Sequence, residues 1–77
     1  MSLADEYREL LTEPDCRAGY EYARRRQAIW REETAETLRS LAGVYLELYR
    51  RTENLNSLGI AAYLLDYAAS RQERQED

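Results

Sequence analysis

The stretch AETLRSLAGVYLELYRR, Ala35 to Arg51, carries the densest helical periodicity in the chain. Leu38, Leu41, Tyr45 and Leu48 recur at alternating steps of three and four, which places them on one helix face. Ala35, Ala42, Leu46 and Tyr49 add a second apolar stripe beside the first. Glu36, Ser40, Gly43, Glu47 and Arg50 are left to face water. A helix apolar over so wide an arc needs more than one neighbour. The fold class read from it is all-α.

On its C-terminal side, RRTENLNSLG is polar and marks a connection, with Asn56 or Ser57 suited to cap the next helix. The helix predicted over residues 57 to 72 is apolar nearly all round, and Asp66 is its only charge before Arg71. Ala61, Ala62, Ala68 and Ala69 allow close approach of a neighbour. A connection this short joins antiparallel helices, so the two segments read as a helical hairpin. The charged tail over residues 73 to 77 is expected to fray.

On its N-terminal side no strong stop intervenes back to Pro14. Glu13 with Arg17, Glu21 with Arg25 and Glu47 with Arg51 stand at helical spacing, and ion pairs there support continuity. One long central helix over residues 14 to 51 would be roughly 57 Å long. Either it runs straight under a second chain or it bends at Arg31 to Thr34. Before it, SLADEYRELLT predicts a short helix over about residues 3 to 12. Ser2 caps that helix, and Leu3, Tyr7 and Leu10 form its single apolar stripe. Pro14 starts the next helix and disfavours helical geometry at Glu13.

Composition narrows what such a chain can do. Its 77 residues allow one domain, residues 1 to 77, with one thin core. Small domains usually add a disulfide, a metal or a partner chain. Cys16 is the single cysteine and there is no histidine, so a self-partner is the remaining route. A net charge of −4 argues against a nucleic-acid coat. All basic residues are arginine. No secretory pattern opens the sequence and no apolar run approaches the ~20 residues of a membrane span, so the protein reads as soluble and cytoplasmic.

A mismatch of lengths points to a homodimer. A final helix of about 15 residues covers only half of a straight central helix. Two hairpins paired as a four-helix-type bundle would bury the remainder. Tyr45, Leu48, Leu64 and Ala68 are the residues predicted at that contact.

Chemistry-bearing patterns are sparse. Glu32, Glu33 and Glu36 form EExxE, which resembles the first half of the metal-binding motif of the MazG-like all-α nucleotide pyrophosphatases. That resemblance implies carboxylates on neighbouring helices holding magnesium beside a triphosphate. Its second half, ExxD, has Asp66 here but Tyr63 in place of the glutamate. The basic cluster is Arg24, Arg25 and Arg26, flanked by Arg17, Trp30 and Arg31. Arg17, Arg24 and Arg31 recur every seven residues and would line one helix face, able to grip phosphates or an acidic protein surface. Interspersed Glu13, Glu21 and Glu32 favour plain solvation of that face. Seven tyrosines and no phenylalanine suit an interface, where a ring is buried and its tip is wet. No catalytic residue, metal ligand or cofactor site is predicted. The function read from the sequence is a small protein-binding module, with the pyrophosphatase relative and the arginine-face nucleic-acid binder as alternatives.

Overall fold

Capping chemistry divides the chain. A computed structural model describes Glu9 and residues 12 to 75, with side chains as far as Arg71. The helix expected over residues 3 to 12 therefore lies outside the described residues, apart from Glu9 and Thr12. The described elements are α1 (Pro14–Arg25), a 3-10 turn (Gln27–Trp30), α2 (Ala35–Thr52) and α3 (Leu55–Gln75), with no strand among the described residues.

Pro14 opens α1 at a position where its missing N–H costs nothing, and Glu13 before it is extended. Thr34 caps α2, its Oγ1 accepting from the Thr37 N–H at 3.1 Å. Glu53 ends α2 in the left-handed conformation, and its N–H donates to the Tyr49 carbonyl at 2.6 Å. Glu53 and Asn54 alone separate α2 from α3, so the hairpin turn is much tighter than RRTENLNSLG implied. Asn54 is the cap in place of Asn56 or Ser57, because its Oδ1 accepts from the Asn56 N–H at 2.9 Å.

The long central helix expected over residues 14 to 51 is two helices. Helix α1 stops at Arg25, where the Arg26 N–H turns back to the carbonyls of Ala23 and Arg24. The chain then passes through the 3-10 turn and Arg31–Thr34 before α2 begins. The described residues span 36 Å at their longest, well short of a straight 38-residue rod. Burial explains the break. A straight helix strands Trp30 beyond the reach of α3, whereas the bend places it at 9% exposure beside Tyr63.

Helix α3, not α2, is the element the others pack on. Helices α1 and α2 each lie along α3 and scarcely touch one another. Ser57, Leu58, Gly59, Ala61, Ala62, Tyr63, Leu64 and Ala68 of α3 are all buried, which accounts for its nearly unbroken apolar character. Against α2 the core joins Leu38, Ala42 and Ala35 to Leu64 and Ala68. Against α1, Cys16 packs with Leu58 and Ala62. The α1–α3 crossing is closest at Gly19 and Gly59. A Cβ on Gly19 would collide with the Asn56 backbone carbonyl, and one on Gly59 with that of Cys16. Only glycine lets two helix backbones approach so closely.

Candidate binding surfaces

Tyr63 and Tyr67 stack along α3, ring centroids 5.9 Å apart. From α1, Tyr20 meets Tyr63 edge-on at 5.3 Å, and Trp30 closes the other side at 6.5 Å. The Tyr20 hydroxyl donates to Asp66 Oδ2 at 2.9 Å. Burial and then that carboxylate push the Tyr20 hydroxyl pKa up to about 12. Burial likewise raises Tyr63 and the Cys16 thiol. Arg71 lies over the Tyr67 ring at 5.7 Å and donates through Nη1 to the Arg31 carbonyl, tying the interhelical bend to α3. These groups hold the fold: Asp66 takes up the Tyr20 hydroxyl, and the Arg31 carbonyl takes up Arg71 Nη1.

Among the described residues no three carboxylates or thiols converge as a metal site. Glu32 and Glu33 precede the Thr34 cap while Glu36 follows it, so EExxE does not share one helix face. Tyr63 is spent on Tyr20 and Trp30, and Asp66 on Tyr20.

The arginine face is reshaped by the break after Arg25. Arg31 follows the 3-10 turn and no longer continues the line of Arg17 and Arg24. Trp30 is buried and offers no ring for stacking. Arg24 pairs with Glu21 at 3.0 Å. On the outer side of α1, Arg17, Arg25 and Arg26 line a shallow concavity with Glu21 and Tyr22, and Arg26 stacks over the Tyr22 ring at 4.5 Å.

Of the residues predicted at a self-contact, Leu64 and Ala68 are 0% exposed within the single chain. They are core residues and offer no surface, because α3 already has neighbours on both sides. Tyr45 is half-buried, while Leu48 is exposed.

The surface that stands out is the free flank of α2. At 3.6 residues per turn, its five charged residues, Glu36, Arg39, Glu47, Arg50 and Arg51, fall within an arc of roughly 120°. The adjoining arc of roughly 100° carries Thr37, Leu41, Val44, Tyr45, Leu48 and Thr52 and no charge. Val44 is 55% exposed and Leu48 is 42% exposed. At the N-terminal end, Ile29 of the 3-10 turn is 63% exposed. It shares a groove with Trp30, Glu33, Thr37, Leu41 and Val44. Ile29 and Val44 escaped sequence reading, yet the one-sided distribution of charge on α2 was a legible signal.

No family model, no curated protein and no solved structure matches this chain. No helix among the described residues is long and apolar enough to cross a membrane.

Proposed function

We propose that this chain is a small protein-binding module, a regulator, inhibitor or assembly subunit that acts through helical surfaces rather than by catalysis. The uncharged strip of α2 with Ile29 carries this reading. A chain with 34% charged residues leaves three large aliphatic side chains, Ile29, Val44 and Leu48, substantially exposed along one flank. Isolated exposed apolar residues are ordinary, but a contiguous strip bounded by charge is the anatomy of an interface. The concavity around Arg17, Arg25 and Arg26 favours a second, subsidiary contact with an acidic partner.

The test compares tagged wild-type protein with Val44→Glu and with Arg25→Glu in native lysate, with retained proteins identified by mass. A polypeptide, this chain included, that is held by wild type, lost by Val44→Glu and kept by Arg25→Glu is the expected result. Retention unaffected by Val44→Glu removes the strip from the function.

A further inference from the structure

We infer that the uncharged strip of α2 is covered by the same strip of a second copy, the two helices running antiparallel about a two-fold axis between Val44 and Tyr45. The inference rests on the strip being a binding surface and names its occupant.

Its spacing is the first argument. Thr37, Leu41, Val44, Tyr45, Leu48 and Thr52 are separated by steps of 4, 3, 1, 3 and 4, the same read in either direction. A two-fold contact uses one patch twice, and spacing that reads the same in both directions lets each strip residue meet another strip residue at its own level. Antiparallel pairing about the midpoint sets Leu41 against the partner's Leu48 and Thr37 against the partner's Thr52, and at the axis brings Val44 beside the partner's Val44 and Tyr45 beside the partner's Tyr45. The apolar pairs are central and the threonines lie at the rim, the usual anatomy of an interface.

Charge fixes the direction. Glu36 and Arg51 stand on the same flank of the strip, one near each end of α2. Antiparallel helices bring each Glu36 alongside the partner's Arg51. Parallel two-fold helices would put the two copies of that flank on opposite sides of the contact, so neither Glu36 would meet an Arg51. Arg51 already pairs with Glu47 at 3.2 Å and remains 75% exposed, so it can meet a second carboxylate. Ile29, at the N-terminal end of the strip, then reaches the partner's Leu48 and Thr52 end. This dimer differs from a four-helix core pairing, since α3 stays inside each subunit. A strip one helix wide is smaller than the ~800 Å² per partner of a standard interface, so a Kd on the order of micromolar is expected.

Sedimentation velocity of the purified chain, from low micromolar to near millimolar, reads the association. Wild type should pass from monomer to dimer across that range. Val44→Glu should weaken association at least about tenfold, because the two-fold axis brings the new carboxylates together. Gly43→Glu, on the charged arc with open space around it, should leave association unchanged. Circular dichroism checks that both variants remain helical. Direction is read by oxidising introduced cysteines, with buried Cys16 left in place. Val44→Cys should cross-link to itself. Leu48→Cys alone should not, but should cross-link when mixed with Leu41→Cys. A monomer at every concentration overturns the dimer, as does a dimer indifferent to Val44→Glu. Efficient Leu48→Cys self-cross-linking overturns the antiparallel arrangement. A monomer that still retains a foreign protein through Val44 overturns the second copy alone and leaves the protein-binding role standing.

Discussion

Three glycines sit within helices here, and they have opposite reasons to be glycine. Gly19 and Gly59 face backbone carbonyls across the α1–α3 crossing, so no side chain fits. Gly43 has nothing within 4 Å of where its Cβ would be. Alanine is normally worth about 1 kcal/mol over glycine in a helix. Gly43→Ala should therefore stabilise the protein by about that amount. Gly59→Ala should instead destabilise it by on the order of 2–4 kcal/mol, because two backbones must separate and disturb the packing of Cys16, Leu58 and Ala62. Urea unfolding followed by circular dichroism reads both. A Gly59→Ala variant as stable as wild type would mean that the crossing is not tightly packed.

The break between α1 and α2 is held by tertiary contacts rather than by a helix breaker. Neither glycine nor proline occurs from Ala23 to Ala42. Thr34 supplies a cap, but its signal is local and weak beside the burial of Trp30. Truncating a buried tryptophan typically costs about 3–5 kcal/mol. That is comparable with the whole stability of a domain of this size, on the order of 4–12 kcal/mol. Trp30→Ala should therefore abolish cooperative thermal unfolding or lower the melting temperature sharply, while Trp30→Phe should lose less. If Trp30→Ala melts as wild type does, the indole is not the anchor of the bend, and the Arg71 contact to the Arg31 carbonyl becomes the stronger candidate.

The molecule as a whole has an unusual titration profile, since its cations are all arginine and it lacks histidine. Few side chains change charge between about pH 5.5 and 8.5, so stability should be nearly flat there. Above that range the half-buried Tyr20 and the buried Tyr63 take over. Tyr20 has a folded pKa of about 12, raised first by burial and then by Asp66. Its unfolded value is about 10. A raised folded pKa contributes stability that is complete below the unfolded value and lost as pH climbs through the folded one. Melting temperature should thus fall between about pH 10 and 12, with Tyr63 acting in the same direction. Tyr20→Phe should flatten part of that decline. A steep loss of stability between pH 6 and 8 would contradict this account.

Residue order alone determined the helical class, the start of α1 at Pro14, the apolar stripes of α2 and the antiparallel sense of the α2–α3 hairpin. These depend on periodicity and capping, which act over a few residues. The tertiary structure decided the rest. It broke the central helix, since burying Trp30 outweighs the few hydrogen bonds a continuous helix would add. It made α3 the central element, because only a helix apolar all round can serve two neighbours at once. It moved Leu64 and Ala68 into the core and left Ile29, Val44 and Leu48 outside. Helical spacing shows which residues share a face, but the side of that face a neighbour covers is set by packing.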